Sequence, residues 1–298
     1  MKQLGLFDWE DRYARIDKGG DPLVKLNRVI DREAFRPWLM KVREKEHKSN
    51  AGARPYDVVL MFKALIIQSL YNLSDDELEY QILDRLTFMR FLGLGPEERT
   101  PDAKTIWLFR EQLKEAGLVS ELFKMFDRHL QSSGFVARKG QIVDASIVSV
   151  PKQRNTREEN ALIKEGGKPE DWNAPKRRQK DTDARWLKKN SKSYYGYKNH
   201  VNVDVKHKLI RGYAVTDASV HDSKVFDELL RTDNKSRDVY ADSAYRSEES
   251  LNTLREHGYR EYRQRKGYRH RKLTGRSEGT TPGRRYGCAS SMYLESRP

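Results

Sequence analysis

Residues 140–150 read GQIVDASIVSV. Ile142, Val143, Ile147, Val148 and Val150 are β-branched, a glycine stands before the run and Pro151 closes it, so the composition predicts a strand. One carboxylate, Asp144, falls in its middle. A carboxylate among apolar neighbours is costly unless a partner, a hydrogen-bond network or a metal compensates it, which makes Asp144 the first candidate for chemistry. Downstream, Tyr194–Asp204 and Leu209–Thr216 have strand composition and are joined by Val205-Lys-His-Lys208, the signature of a hairpin. Asp222 to Leu230 has helical spacing with Asp222 or Ser223 as cap. Asp238 to Tyr245 predicts another strand, and Ser247 opens a helix to Glu256. Residues 152–193 are polar, basic and nearly free of aliphatic side chains apart from Trp172 and Trp186, and are expected to form a long inserted loop. Strand, insertion, hairpin, helix, strand, helix is the order of a mixed α/β sheet.

Upstream, residues 20–132 predict short helices. Pro55 opens VVLMFKALIIQSLY, apolar on every side and therefore expected to be buried all round. Ser74 to Glu77 has capping-box spacing, with Leu78, Ile82, Leu83 and Leu86 on one face of the helix it starts. Pro101 stands at an expected first helical position ahead of Ile106, Phe109, Arg110 and Leu113. Leu118 to Leu130 is a further amphipathic helix. This is an all-α module, for which simple packing and DNA binding are both open readings.

Charge is unevenly divided. The 298-residue chain carries a formal net charge of +14. Residues 1–140 hold 24 Lys and Arg against 22 Asp and Glu, and residues 141–298 hold 34 against 22, so the excess belongs to the second half. Such an excess favours a polyanionic partner, because neutralising phosphates releases counterions. The segment Arg260–Arg276, REYRQRKGYRHRKLTGR, concentrates it: eight Arg and Lys against one Glu, with Tyr262 and Tyr268 interleaved. Arg260, Arg263, Arg265, Lys266, Arg269, Arg271 and Lys272, together with Lys198, are the candidate DNA-binding residues; a solvated basic tail is the plainer alternative. No apolar run is long enough to span a membrane, the N-terminus lacks a signal-peptide core, and the single cysteine, Cys288, excludes a disulfide framework and a Cys-rich zinc site. A soluble cytoplasmic protein is expected.

Asp242 ends its strand as Asp144 sits within its own. If the two strands are neighbours, both carboxylates reach one point and suit hard divalent ions such as Mg²⁺, the arrangement used for phosphodiester chemistry. Purely structural aspartates remain an alternative. Asp217 and Asp222, in TDASVHDS, compete for the same role, although capping explains Asp222 without chemistry. His221 is more simply a surface residue than a ligand.

The segment PYDVVLMFKALIIQSLYNLSDDELEYQILDRLTFMRFLGL, with TPDAKTIWLFREQL, resembles the N-terminal domain of bacterial transposases of the insertion sequence five family. IVDASIV, RQKDTDARWLKKNSKSYYGYKNHVNVD, YAVTDASVHDS and DVYADSAYRSEE resemble that family's DDE catalytic domain. The resemblance spans about residue 10 to Thr274. It implies three parts: a helical N-terminal domain over 1–135 for DNA binding and assembly, an RNase H-like α/β catalytic domain over 136–274 with the insertion 152–193, and an aberrant tail over 275–298. It also implies catalytic, metal-binding roles for Asp144 and Asp242, demoting Asp217 and Asp222. Mg²⁺ or Mn²⁺ is the implied cofactor. The implied partners are double-stranded DNA, both terminal inverted repeats and target, and a second copy of the chain when assembled on DNA; no membrane is involved.

The tail departs from that pattern. The family continues into a helix bearing the catalytic Glu within R-V-E-H-V-F-G, whereas this chain reads LTGRSEGTTPGRRYGCASSMYLESRP. Glu278 and Glu295 lack the expected context. Cys288–Ser296 can be encoded TGC GCG TCG AGC ATG TAT TTG GAG TC, and the same bases read from two positions later give Arg-Val-Glu-His-Val-Phe-Gly-Val. A frameshift near Thr274–Gly275 is therefore expected to have replaced the helix carrying the third acid, leaving a transposase with little or no strand-transfer activity. A non-catalytic DNA-binding relic or regulator of the same element is the alternative; a host nuclease of the same fold is disfavoured by the match of the N-terminal module.

Overall fold

The computed structural model describes residues 8–43 and 54–263, apart from the single residues Pro96, Lys168, Asn190 and Arg246. The chain divides into two compact units, residues 1–129 and 130–298.

The first unit is built from α1 (Asp8–Lys18), α2 (Pro22–Val29), α3 (Arg36–Met40), α4 (Val58–Tyr71), α5 (Asp75–Asp84), α6 (Leu86–Leu92), α7 (Ala103–Glu115) and α8 (Leu118–Ser132). Side chains set the helix starts by accepting otherwise unpaired amides. Asp57 takes the amides of Val59 and Leu60, and Ser74 with Glu77 forms a complete capping box. Asp102 takes the amide of Thr105 at 2.7 Å. That bond starts α7 at Ala103, so Pro101 precedes the cap and is not the first helical residue. The extended backbone of Arg85 ends α5, which corrects the expected stripe: Leu78 and Ile82 are buried, Leu83 is exposed and Leu86 opens α6. In α4, Met61, Ala64 and Ile67 are fully buried. The all-round burial expected of this helix is not found: Leu65 and Ile66 line an apolar cleft of about 460 Å³ with Phe62, Leu122 and Phe126. The helices around α4 leave that side half covered, and Leu70 and Tyr71 at its end are exposed.

In the second unit, β1 (Gln141–Ser149), β2 (Arg185–Lys189), β3 (Lys192–Asp204), β4 (Ile210–Asp217), β5 (Asp238–Ala241) and β6 (Arg260–Arg263) form one sheet in the order β2-β3-β1-β5-β6, with β4 also paired to β3. β1 runs antiparallel to β3 and parallel to β5, and β5 is parallel to β6. Val143, Ala214, Val239 and Ala241 pack from the sheet against Phe226 and Leu229 of α11 (Phe226–Leu229) and Leu254 of α12 (Glu248–Glu256). This is an RNase H-like α/β arrangement, preceded in the chain by the all-α unit. Two glycines permit it. Gly140 has φ +98° and a Cβ there would lie 2.6 Å from the Asp238 carbonyl; Gly196 has φ +151° and a Cβ would lie 2.1 Å from that of Val148. Only glycine lets the strands approach so closely in those conformations.

Three expectations are corrected here. The strand from Asp238 stops at Ala241 and turns into a 3₁₀ segment, Ser243–Tyr245, because the Asp242 carboxylate accepts the Ala244 amide. The helix from Asp222 is a 3₁₀ turn, Asp222–Val225, followed by the short α11, and its cap is the His221 ring, not Asp222 or Ser223. The insertion is folded rather than a loop. It contains α9 (Arg157–Lys164), α10 (Ala174–Gln179) and β2, started by a Thr156–Glu159 capping box and by Asn173. Trp172 is buried at its centre, its indole N–H donating to Glu159 at 2.6 Å, while the Lys176 ammonium donates to the same oxygen at 2.8 Å. Lys176, Trp172 and the Thr156 amide together push the Glu159 carboxyl down to about 2. Trp172, with its polar edge satisfied, is buried along with Ile163 and Ala184 and forms the core that the sparse aliphatic composition did not predict.

The face of β3 turned toward α11 carries a polar residue at every second position. Lys198 donates to the Val220 carbonyl at 2.6 Å and to Asp222 at 2.8 Å. His200 lies 3.3 Å from the Tyr245 hydroxyl and 3.1 Å from that of Thr216. Asn202 donates to the Gln141 side chain at 2.5 Å and the Leu229 carbonyl at 2.7 Å. Asp204 accepts from Arg211 Nε and Nη2 at 3.2 and 3.1 Å, and from the His207 amide at 2.6 Å. Lys198, His200, the Asn202 amide nitrogen and Asp204 are thus each compensated by other elements, while Asn202 Oδ1 has no partner among the described residues.

Candidate active site

β1 and β5 pair as Gln141–Val239, Ile142–Tyr240 and Val143–Ala241. One residue beyond the last couple, the two backbones continue side by side into Asp144 and Asp242. Asp144 is also opposite Val201 on β3, which places it on the sheet face away from Val143 and the α11–α12 core. It is half-buried, and its Oδ1 accepts the Ala145 amide at 2.8 Å. Asp242 is exposed at the strand's end, its carboxylate oriented by the Ala244 amide. Two carboxylates one residue past the paired stretch of adjacent parallel strands, Asp144 within β1 and Asp242 at the end of β5, form a hard-oxygen donor set for a divalent cation. Among the described residues, no third Asp, Glu, His or Cys completes a metal-sized group.

The turn that carries Asp242 is anchored from behind. The Tyr245 amide donates to the Asp242 carbonyl at 3.3 Å, and the Ser250 hydroxyl donates to the Tyr245 carbonyl at 2.9 Å. The Tyr245 ring is buried against Phe226, with centroids 5.8 Å apart, and its hydroxyl meets His200. Burial holds the His200 imidazole below its usual pKa, with the Lys198 charge acting in the same direction and Asp222 opposing; the neutral ring serves as a hydrogen-bonding post. Sequence reasoning missed His200 and Tyr245. The signal was the polar alternation at 198, 200, 202 and 204, which marks one strand face.

The competing residues have structural duties. Asp217 accepts the Ser219 amide at 2.8 Å, Asp222 pairs with Lys198, and His221 caps a turn. Lys198, expected to bind DNA, is found within the fold, its ammonium buried and held by Asp222 and the Val220 carbonyl. Arg260 begins β6 and pairs with Asp238 at 2.8 Å while remaining exposed. Arg263 ends the same strand. Arg265, Lys266, Arg269, Arg271 and Lys272, with the expected aberrant tail, lie outside the described residues.

Comparison with known families gives two matches. Residues 10–112 match the Transposase domain (DUF772), and residues 137–285, half of the chain, match the Transposase DDE domain. The second match contains β1, the insertion, β3–β6 and both aspartates, and runs past Thr274. No solved structure matches the chain. No single described helix is long and apolar enough to cross a membrane. With an RNase H-like sheet that sets Asp144 beside Asp242, and with half of its length matched, the chain belongs to the DDE-domain transposases of insertion sequences.

Proposed function

We propose that this chain binds the terminal inverted repeats of an insertion sequence of the insertion sequence five family, and that its metal-dependent DNA cleavage and strand transfer are impaired by loss of the third acid. The juxtaposition of Asp144 and Asp242 carries the catalytic part of this reading. Their donor set fits one Mg²⁺ or Mn²⁺ ion, and Asp144 and Asp242 would be its protein ligands. Bound there, such an ion supplies charge stabilisation to the attacking and leaving oxygens of a phosphodiester. The protein's own contribution is positional. Asp144 is fixed by the strand pairing of β1, Asp242 by the turn that Tyr245 and His200 hold, and the basic surface of the second unit neutralises the DNA backbone. Two carboxylates leave a second ion short of a ligand, and the shifted tail removes the residue family members use for it.

The test combines binding and cleavage on terminal-repeat DNA. The chain is expected to bind it in a strongly salt-dependent manner and to cleave at background rate with Mg²⁺ or Mn²⁺. Replacing residues 275–298 by the shifted reading that restores R-V-E-H-V-F-G is expected to restore cleavage, and Asp144→Ala to abolish it again. Turnover by the unaltered chain that disappears in Asp144→Ala would overturn the impairment. Binding without cleavage in the restored chain would favour a non-catalytic regulator. A gene sequence lacking R-V-E-H-V-F-G in the frame read two bases later would remove the frameshift.

A further inference from the structure

Arg32, just past the end of α2, is 4% exposed, yet its hydrogen bonds go to neutral groups and no carboxylate among the described residues pairs with it. A buried guanidinium without a counter-ion is costly. Both N–H groups of Nη1 are spent, on the Asn27 side chain at 2.9 Å and the Ile30 carbonyl at 3.3 Å. One N–H of Nη2 goes to the Leu26 carbonyl at 3.3 Å. These bonds close the C-terminal end of α2, whose last carbonyls lack helical partners. Nε has no acceptor among the described residues. It shares an edge of the planar group with Nη2, which keeps one N–H uncommitted. That edge is the fork that matches two oxygens of an oxyanion.

A second cation stands beside it. The Lys63 ammonium, on α4, lies 5.8 Å from the centre of the Phe91 ring, and Arg32 Cζ lies 4.7 Å from the same centre. Lys63 is half-buried and has no ion-pair partner among the described residues. Burial and the Arg32 charge hold its pKa below the usual lysine value, with Glu33 and Asp57 opposing. Both cations line one pocket of about 210 Å³, with Asn27, Asp31, Glu33 and Val59. Its two acids are exposed and already engaged: Glu33 receives Arg36 at 2.6 and 3.0 Å, and Asp31 accepts the Glu33 amide at 3.0 Å. We infer that Arg32 and Lys63 form an oxyanion pocket that takes a phosphate group, either free or as one phosphodiester of a DNA backbone. Two of its oxygens meet the guanidinium edge, another meets the ammonium, and one negative group answers both cations. The pocket gives the nearly charge-balanced first half of the chain a defined point of anion contact. Its DNA form rests on the terminal-repeat reading proposed above; the free-phosphate form does not.

Two measurements on the full chain test the pocket: the melting temperature titrated with inorganic phosphate at constant ionic strength, and the salt slope of binding to terminal-repeat duplex. The wild-type melting temperature is expected to rise saturably with phosphate, as for a ligand held by the folded state alone. Lys63→Gln is expected to weaken phosphate binding roughly 10- to 100-fold, the loss of a charge-assisted hydrogen bond. Arg32→Lys keeps the charge but not the fork and is expected to weaken it similarly; circular dichroism of each variant checks that the helices remain. If the phosphate is that of DNA, Lys63→Gln also lowers the salt slope by about 1. An unchanged slope with a lost phosphate response assigns the pocket to free phosphate. A Lys63→Gln chain that matches wild type in both measurements would overturn the pocket. Wild-type chain that is stabilised by phosphate in a Lys63-dependent way but binds no terminal-repeat DNA would overturn the DNA reading and leave the pocket standing.

Discussion

Asp204 and Arg211 offer the sharpest test of how the catalytic unit is held together. Their side chains are 0% and 1% exposed. Arg211 donates twice to Asp204 Oδ1 and also to the Phe135 carbonyl, while Asp204 Oδ2 accepts the His207 amide. Asp204→Asn removes one charge and leaves the guanidinium buried without its counter-ion. Breaking one side of a buried pair costs about 3–5 kcal/mol, which for a unit of this size is a fall in Tm of roughly 6–20 °C. Arg211→Met carries a similar penalty from the stranded carboxylate. The pair Asp204→Asn with Arg211→Met strands neither charge, but frees the Phe135 carbonyl at about 1–3 kcal/mol. Its cost is therefore expected to fall well short of the sum of the single changes, with a coupling of at least about 2 kcal/mol. Urea unfolding of the four proteins at pH 7, followed by far-ultraviolet circular dichroism, measures this. A cost below about 1 kcal/mol for Asp204→Asn, or additive effects, would refute the reasoning.

Gly196→Ala is expected to cost more than about 3 kcal/mol or to prevent folding, because the new Cβ would lie 2.1 Å from the Val148 carbonyl; soluble yield and urea midpoint report it, and a neutral result would contradict the close β1–β3 approach. The folded chain keeps His200 neutral, its pKa lowered by burial, whereas the unfolded chain takes up that proton near 6.5. The contribution of His200 to stability is thus fully present above about pH 6.5 and declines as pH falls through that value toward the lower folded pKa. A melting series from pH 7.5 to 5 should show His200→Gln flattening this decline, and an equally steep profile in the variant would exclude His200 as its source. Tyr245→Phe leaves the His200 ring nitrogen short of a partner in the core and is expected to lose about 1–3 kcal/mol, measured by thermal melting. Mn²⁺ is expected to raise the melting temperature of the wild-type chain but not of Asp144→Ala, since ligand binding to the folded state alone stabilises it; equal shifts in both would place the ion elsewhere.

What could be read from sequence was whatever local chemistry decides. The β-branched run around Asp144 formed β1, the runs around His200 and Tyr213 formed a hairpin, and Ser74 and Ser247 capped their helices as their spacing required. Half-turn errors arose where a side chain intervened: Asp102 moved a helix start past Pro101, and Asp242 cut a strand short. The insertion escaped because its core is small, Trp172 with Ile163 and Ala184, although Thr156 to Glu159 repeats the capping-box spacing seen at Ser74. Lys198 was misplaced for a different reason. Its charge suggested solvent, but its parity with His200, Asn202 and Asp204 put it on the inner face, where Asp222, distant in sequence, receives it. The pairing of Asp144 with Asp242 depends on a parallel register across some hundred residues, which single-strand patterns do not encode.

The alternation of inner and outer side chains protects a sheet against slipping by one residue, since that would turn every strand face over. It offers no protection against a slip of two, which returns apolar to apolar. The inner face of β3 closes that gap. A cation, an imidazole, an amide and a carboxylate follow one another there, and each has a different side-chain complement: Asp222, Tyr245, Gln141 and Arg211. Slide β3 by two positions and the lysine meets the tyrosine's place while the carboxylate leaves the guanidinium. The strand is keyed as a lock is keyed, by unlike teeth, and because β1 takes its alignment from β3, the same key fixes where Asp144 stands.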